Sequence, residues 1–197
     1  MNIYDLISLC IHYECPQDKK ELKQMLDIVK GKTSVLEVGS NFGGTFYRMS
    51  EVVAPKSLMV SVDWPVDETP KSLEPVESLK MNCKRISMMG HHVELFIGDS
   101  HANDTVQRVE EFAPFDFVFI DGDHSYEGVK ADWMNYGPMG KIVGFHDIAG
   151  PVEGCVRLWN ELKAEGKYRL EELITPGSGM GIGIVYKENA PRPQFQQ

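Results

Sequence analysis

The apolar positions along the chain alternate between the spacing of a helix and the spacing of a buried strand. Residues 22–29 carry apolar side chains at i, i+3, i+4 and i+7, which places them on one face of a helix that Gly31 can end. The run SVLEVG at 34–39 is typical of a buried strand that opens at a glycine into a tight loop. Helical spacing resumes over 44–53. The start of the pattern therefore predicts a helix, a strand and a second helix.

The same alternation continues to the end of the chain. Strand-like runs occupy 57–63, 93–100, 115–125 and 141–147, and a helical stretch follows each of them. Prolines 65, 70 and 75 predict a loop before the helix that ends near Met89. Residues 168–187 break the rhythm, because two β-like runs joined by a Pro-Gly-Ser-Gly turn indicate an antiparallel pair. The prediction is an α/β fold: a doubly wound, mostly parallel seven-stranded sheet with a C-terminal antiparallel hairpin.

Composition narrows the class of protein. The chain has 197 residues, 42% hydrophobic and 25% charged, which suits one globular domain with a real core. The net charge of −9 disfavours a nucleic-acid partner, because affinity for phosphate backbones comes largely from Lys and Arg. No apolar run approaches the roughly 20 residues of a membrane span. We expect residues 1–30 to be an N-terminal helical segment and a candidate lid, 31–187 to be the main domain, and 188–197 to be a polar tail.

The chain's beginning and its cysteines predict a compartment. No basic segment precedes the first apolar residues, so a secretory signal is not indicated. The four cysteines are scattered without a CxxC pair, which argues against a disulfide framework and against a zinc ribbon. A reduced, cytoplasmic protein is the expectation.

Acidic residues collect where the predicted strands end. Ligands of open α/β sheets bind beyond the carboxyl ends of the strands, so these residues are candidates for a site. In strand order they are Glu37 with the turn from Gly39 to Gly44, then Asp63-Trp64, then Asp99-Ser100, then Asp121, Asp123 and His124, and last His146-Asp147. No Lys or Arg stands among them. A polyphosphate ligand is therefore disfavoured.

The glycine-rich turn excludes two common nucleotide motifs. Asn41 stands at the middle glycine of G-x-G-x-x-G, and Thr45 stands where the Walker motif needs lysine. An uncharged turn beside a carboxylate instead suits a ligand with a zwitterionic end and an adenosine. S-adenosylmethionine has both parts, and its sulfonium cation is favoured by an acidic pocket.

Several motifs resemble those of a known family. The segments VLEVGSNFGGT, SVD, GDS and FDFVFIDGDHSYEGVKADWMNYGPM, followed by GKIVGFHDI, resemble class I S-adenosylmethionine-dependent methyltransferases. Within these, the chain is most similar to the metal-dependent O-methyltransferases of macrolide sugars and to cephalosporin-hydroxylase-like proteins. The resemblance covers roughly residues 31–187 and implies a Rossmann-like fold.

The resemblance also implies where the cofactor binds. The glycine turn would hold the amino acid end, Asp63 the ribose, and Asp99 with Ser100 the adenine. The predicted cofactor-binding residues are Glu37, Gly39, Ser40, Asn41, Gly43, Gly44, Asp63, Trp64, Asp99, Ser100 and Asp121. Asp99 and Ser100 have an alternative interpretation as caps of the following helix, as does Asp123. His101 can contact adenine or substrate, and a surface position is its plainer interpretation.

A metal ion and a base are the other implied parts. In the relatives an aspartate matching Asp121 and an acidic pair after the fifth strand bind a divalent ion, and a histidine matching His124 is the base. Here the pair reads His146-Asp147, so the predicted ligands are Asp121, His146 and Asp147. Mg²⁺ prefers oxygen donors, and an imidazole shifts the preference toward Mn, Fe or Zn. We expect Mg or Mn here, with Asp121 and His124 as the catalytic residues.

The predicted function is transfer of a methyl group from S-adenosylmethionine to a hydroxyl of a small molecule, such as a sugar or a natural-product intermediate. The chain has little material beyond the core fold, so a neighbouring subunit of a homo-oligomer is a candidate to complete the pocket. Two alternatives stay open: a non-catalytic cofactor-binding module, and a metal-dependent hydrolase or hydroxylase on the same scaffold.

Overall fold

A computed structural model describes residues 17–64 and 70–187, with the side chains of 70–73 left out of the description. The helices are α1 (Lys19–Val29), α2 (Gly44–Ser50), α3 (Pro70–Met88), α4 (Asn103–Glu110), α5 (Tyr126–Tyr136) and α6 (Glu153–Glu165), with a short 3-10 turn at Gly137–Met139. The strands are β1 (Ser34–Val38), β2 (Leu58–Asp63), β3 (His92–Ile97), β4 (Phe115–Ile120), β5 (Gly140–Phe145), β6 (Arg169–Leu173) and β7 (Ile182–Tyr186).

The strands form one seven-stranded sheet in the order β3-β2-β1-β4-β5-β7-β6. Strands β1 to β5 pair in parallel, whereas β7 is antiparallel to both β5 and β6. This confirms the predicted doubly wound, mostly parallel sheet with a C-terminal hairpin. Because β1 pairs with β2 on one side and with β4 on the other, the strand order reverses at β1, and the crevice for a ligand opens there.

Side chains of the central strands alternate between two apolar layers. Leu36 and Val38 face the layer that includes Trp159 of α6, while Val35 faces the layer that includes Met25 of α1. The period of two along β1 explains why residues 35–38 are all buried, since both faces of a parallel sheet are covered. Packing of both apolar layers against the sheet therefore fixes the strand ends, beyond which the site lies.

The predicted proline loop is wrong for the part that the structure describes. Helix α3 begins at Pro70 and contains Pro75. A proline is tolerated in the first turn of a helix because the amide there has no intrahelical acceptor, but Pro75 lies deeper and removes one helical hydrogen bond. The helix persists because Leu79, Cys83 and Ile86 are buried against the sheet. Pro65 lies outside the described residues.

Several strands are shorter than the sequence predicts. β3 ends at Ile97, β4 at Ile120 and β5 at Phe145. The acidic residues that follow them therefore lie in loops at the edge of the sheet.

Only part of the predicted division of the chain falls within the described residues. Residues 1–16 and 188–197 lie outside the described residues, and Lys19–Val29 form the helix expected before the first strand. The division into lid, domain and tail stays a prediction. Cys83 and Cys155 are free and buried, and Cys10 and Cys15 fall in the undescribed part. Among the described helices, none combines the length and hydropathy needed to span a membrane.

Candidate functional site

A pocket of about 900 Å³ opens beyond the carboxyl ends of the parallel strands. All of the predicted cofactor-binding residues line it except Glu37 and Gly43. The predicted metal-binding residues and His124 line the same pocket. The reversal of strand order thus brings the glycine turn and the His-Asp cluster into one cavity.

The glycine turn after β1 has a backbone conformation that excludes a side chain at position 39. Gly39 has φ +85°, and a Cβ there would lie 2.3 Å from the backbone oxygen of Asp121. Asn41 also has a positive φ of 49°, which asparagine tolerates better than most residues. Its amide donates to the Asp63 carboxylate, so the turn is tied to the end of β2. The absence of a side chain at Gly39 therefore lets the turn pack directly against the backbone of the loop after β4.

Glu37 and Gly43 lie behind the pocket wall. Glu37 is 1% exposed, and among the described residues neither of its carboxylate oxygens has a hydrogen-bond partner. Burial raises the pKa of this carboxyl well above its usual range. Gly43 faces α3, where a Cβ would meet Leu79 at 2.9 Å. Its positive φ, at the start of α2, serves close packing of that helix against α3.

Asp63 and Trp64 form the wall contributed by β2. Burial raises the pKa of Asp63, and backbone hydrogen bonds from Asn41 and Trp64 partly offset that effect. The Trp64 side chain is 58% exposed at the rim of the pocket. The carboxylate lies where the sequence predicts a partner for ribose hydroxyls, and that role stays a prediction.

The loop after β3 is held by a residue that the sequence analysis missed. Ser100 Oγ donates to Oδ1 of Asp132, a wholly buried residue of α5, at 2.8 Å. His101 lines the pocket with its Nε2 3.2 Å from the same oxygen, so it is more than a surface residue. Burial raises the pKa of Asp132 to about 6.

Neither suggested helix cap is observed. Ala102 is the N-cap of α4, with no side-chain cap hydrogen bond, and Asp99 accepts from the amide of His101 in the turn before it. At α5 the N-cap is Ser125, whose Oγ accepts from the amide of Gly128, and Asp123 accepts from the amide of Ser125. Asp99 and Asp123 therefore stabilise turns that precede helices, and both line the pocket.

The ends of β4 and β5 bring two carboxylates and two imidazoles together. Asp121 Oδ1 lies 3.2 Å from His124 Nε2 and 3.0 Å from His146 Nδ1. His124 Nδ1 lies 3.2 Å from Asp147 Oδ2. One donor atom each from Asp121, His124 and His146 lie within 4.8 Å of one another. The structure thus places His124 within the cluster that the sequence assigned to Asp121, His146 and Asp147.

Opposite charges within the cluster set its protonation. Burial alone would raise the pKa of Asp121, but hydrogen bonds to His124 and His146 outweigh it and lower that pKa. The hydrogen bond to Asp121 raises the pKa of His124 despite partial burial. Burial opposes the charged form of His146, and its contact with Asp121 outweighs this and raises its pKa. Asp121 therefore stays ionised, as a metal ligand must.

The donor set fits a divalent metal ion of the first transition row. One carboxylate oxygen of Asp121 and the imidazole nitrogens of His124 and His146 are an N/O mixture that Mn, Fe, Co or Zn accept more readily than Mg²⁺ does. Asp147 has a positive φ of 60°, an uncommon conformation for a non-glycine residue, which turns its carboxylate toward His124. His146 is buried with no partner for Nε2 among the described residues, so its ring is committed to the cluster through Nδ1.

Gln17 is a second residue that the sequence analysis missed. It lines the pocket, is 5% exposed, and donates from Nε2 to Asp121 Oδ2 at 2.7 Å. Its Oε1 accepts from Thr45 Oγ1 at 2.6 Å. The two bonded residues are 104 and 28 positions away in sequence, and no local motif marks this glutamine.

The fold and the site define the class of the protein: a Rossmann-like α/β domain with its pocket at the topological switch point. A family model described as a methyltransferase domain matches residues 36–148. The chain therefore belongs to this methyltransferase family. Among curated protein sequences, none matches it significantly.

Solved methyltransferase structures share the fold. An O-methyltransferase from Bacillus cereus in complex with SAH has 18% identity and a TM-score of 0.61, covering 93% of this chain and 87% of that one. The O-methyltransferase TomG from Streptomyces achromogenes, involved in tomaymycin synthesis and in complex with SAM, has 17% identity and a TM-score of 0.63, over 85% and 79%. MycE methyltransferase of the mycinamycin pathway, in complex with Mg and SAH, has 17% identity and a TM-score of 0.57, over 97% and 57%.

Proposed function

We propose that this protein transfers a methyl group from S-adenosylmethionine to a hydroxyl of a small molecule, with assistance from a divalent metal ion. The observation that carries the proposal is the shared pocket, in which the glycine turn and Asp63 lie on one side and the His-Asp cluster on the other. Such a pocket can hold a methyl donor and an acceptor hydroxyl side by side, which is the main requirement of an in-line transfer.

The cofactor is assigned to the part of the pocket formed by β1, β2 and β3. The turn at Gly39 and Asn41 receives the amino acid end, because it lines the pocket and carries no charged side chain. Asp63 accepts from the ribose hydroxyls, and the loop at Ser100 borders the adenine. Glu37 lies behind the wall, so no direct contact with the cofactor is assigned to it.

The metal ion is assigned to Asp121, His146 and Asp147, with Mn favoured over Mg by the two nearby imidazoles. When bound, the ion supplies a Lewis acid that lowers the pKa of the acceptor hydroxyl. Asp121 and Asp147 provide negative charge, and His146 is fixed by its 3.0 Å contact with Asp121.

His124 is assigned the role of base. The acceptor oxygen forms its bond to the methyl carbon as the carbon–sulfur bond breaks, and the hydroxyl proton passes to His124. Asp147 beside Nδ1 orients the imidazole and stabilises the imidazolium that forms. Nε2 is the nitrogen that takes the proton, since its neighbour Asp121 Oδ1 would turn to the ion when one is bound. The 38% exposure of its side chain leaves it accessible from the pocket.

The acceptor is proposed to be a small molecule such as a sugar or a natural-product intermediate. A cavity of about 900 Å³ falls in the range typical of small-molecule sites. TomG, which is involved in tomaymycin synthesis, and MycE of the mycinamycin biosynthetic pathway share the fold. A hydrolase would not need the glycine turn or Asp63. Membership of a methyltransferase family also argues against the hydrolase alternative.

Calorimetric titration of the chelator-treated protein with S-adenosylmethionine, with and without Mn²⁺, tests the proposal. We expect saturable binding, and Asp63→Ala should weaken it at least tenfold. Asp27→Ala, an exposed aspartate of α1, is the matched control and should bind as the unchanged protein does. Absence of binding at millimolar cofactor in the presence of Mn²⁺ would overturn the proposal.

The base is tested separately, by transfer of labelled methyl groups to a panel of hydroxylated small molecules. His124→Ala should abolish turnover and leave cofactor affinity within a few-fold. A variant that retains full activity would remove His124 from this role.

A further inference from the structure

Gln17 joins two parts of the pocket that lie far apart in sequence. Its side-chain amide donates to Asp121 after β4 and accepts from Thr45 in α2, over distances of 2.7 and 2.6 Å. Both functional ends of the amide are thus engaged, and the residue is 5% exposed. A buried amide with both ends bonded is held in one orientation.

The two oxygens of the Asp121 carboxylate have different partners. Oδ1 faces His124 at 3.2 Å and His146 at 3.0 Å, whereas Oδ2 accepts from Gln17. A carboxylate without a second partner can turn so that both oxygens face the same ion. The hydrogen bond from Gln17 holds one oxygen away from the cluster and leaves a single oxygen, Oδ1, presented to it.

The backbone that carries Gln17 is itself anchored. Asp18, the next residue, is the N-cap of α1 and accepts from Lys20 and Glu21 amides. Glu21 is fully buried and accepts from the amides of Thr175 and Gly181 in the loop between β6 and β7. These contacts fix the start of α1 against the domain, so Gln17 can act as a rigid support.

We propose that Gln17 is a positioning residue for the metal site: it holds Asp121 so that only Oδ1 is offered to the ion, and it couples the start of α1 to that site. This inference rests on the metal-binding part of the proposed function. The partner group of a ligating carboxylate commonly affects metal affinity 10- to 100-fold when it is removed.

The test is titration of the full, chelator-treated chain with Co²⁺, followed by visible absorbance, a readout that needs no turnover. Gln17→Met keeps the length of the side chain and removes both hydrogen-bonding ends. We expect it to weaken Co²⁺ binding about 10- to 100-fold. Gln24→Met makes the same change at an exposed position of α1 and should leave the affinity unchanged.

A second variant separates positioning from general damage. Thr45→Val removes only the hydroxyl that anchors the Gln17 amide, so we expect a smaller loss of Co²⁺ affinity, about three- to tenfold. If both residues act through one bridge, the double variant loses no more affinity than Gln17→Met alone. Full additivity of the two losses, or Co²⁺ binding by Gln17→Met equal to that of the unchanged protein, overturns the inference.

Titration of the same variants with S-adenosylmethionine distinguishes this inference from the proposed function. We expect Gln17→Met to bind the cofactor within a few-fold of the unchanged protein. Loss of cofactor affinity with Co²⁺ affinity retained contradicts the positioning role and makes Gln17 a cofactor contact. Failure of the unchanged protein to bind the cofactor contradicts the proposed function and leaves the comparison of Co²⁺ affinities intact.

Discussion

Single residues at the end of β1 decide how closely this strand end packs against the loop after β4. Gly39 combines a positive φ with a backbone neighbour that leaves no room for a Cβ, and Glu37 two residues earlier is buried without a described hydrogen-bond partner. An ordinary turn needs neither feature: the first restricts the position to glycine, and a desolvated carboxyl reduces stability. Their occurrence together at the switch point is typical of a binding site.

Gly39→Ala should destabilise the fold more than Gly31→Ala does. Both glycines have a positive φ, +85° and +74°, so both variants carry backbone strain of roughly 1 kcal/mol. Only Gly39 would also place its Cβ 2.3 Å from the Asp121 backbone oxygen, whereas Gly31 has nothing within 4 Å. Urea unfolding of the two variants measures the difference, and equal losses would contradict the close approach.

At the scale of elements, the helices and strands are tied together by a few buried or half-buried carboxylates. Asp116 at the start of β4 accepts from the amide and hydroxyl of Thr33, just before β1, and from Lys141 of β5. Glu21 similarly joins α1 to the loop between β6 and β7. The Asp116 tie fixes the ends of strands whose other ends carry the site. The Glu21 tie instead holds a loop at the edge of the sheet that carries the site, where Met180 lines the pocket.

Asp116→Asn should reduce stability in a pH-dependent way. Burial opposes ionisation, but hydrogen bonds from Lys141 and Thr33 outweigh it and lower the pKa of Asp116 to about 2. Because the folded-state pKa lies below the unfolded value of about 4, this contribution is present above pH 4 and is lost as the pH falls toward 2. We expect a difference of about 1–2 kcal/mol in the free energy of unfolding at pH 7 that shrinks below pH 4, measured by urea unfolding.

Glu21→Gln should loosen the loop between β6 and β7. The carboxylate of Glu21 accepts from two backbone amides and from Ser178 Oγ, and a glutamine can keep only part of this set. We expect a loss of about 2–3 kcal/mol and faster amide hydrogen exchange in 174–181. Glu165→Gln, at an exposed position of α6, is the control. Unchanged exchange in the loop would show that Glu21 does not hold it.

At the scale of the whole molecule, one pocket collects residues from all five parallel strand ends and from the start of α1. Acidic groups dominate its polar wall, which matches the net charge of −9 and favours cationic ligands. The sulfonium of S-adenosylmethionine and a divalent ion are both cations, so the acidic wall favours both of the ligands assigned to the pocket.

Ligand binding to this pocket should stabilise the folded chain as a unit. Saturating S-adenosylmethionine at 100 times its dissociation constant should add about 2.7 kcal/mol to the free energy of unfolding. Thermal unfolding followed by circular dichroism measures this as a rise in the midpoint. The Asp63→Ala variant should show little rise at the same concentration, and an equal rise in both proteins would contradict the assignment of Asp63 to the cofactor.

The local pattern of apolar and polar residues was sufficient to predict most of the fold. The alternation of strand and helix spacing depends on which side chains face the core, and that information is contained in each segment. The positions of Asp63, Asp121 and Asp147, at or just after the ends of strands, were predicted for the same reason. The proline loop was wrong because burial of α3 against the sheet outweighs the hydrogen bond that Pro75 removes.

The site was predictable only in its outline. Sequence determined which strand ends carry carboxylates, histidines and glycines, since these follow directly from residue type and position along each segment. Tertiary structure alone decided that Gln17 and Asp132 support the pocket and that Glu37 and Gly43 lie behind its wall. It also decided that His124 contacts both Asp121 and Asp147. The physical reason is that hydrogen bonds between distant residues depend on how strands are ordered in space, and nothing in a local run of residues records that order.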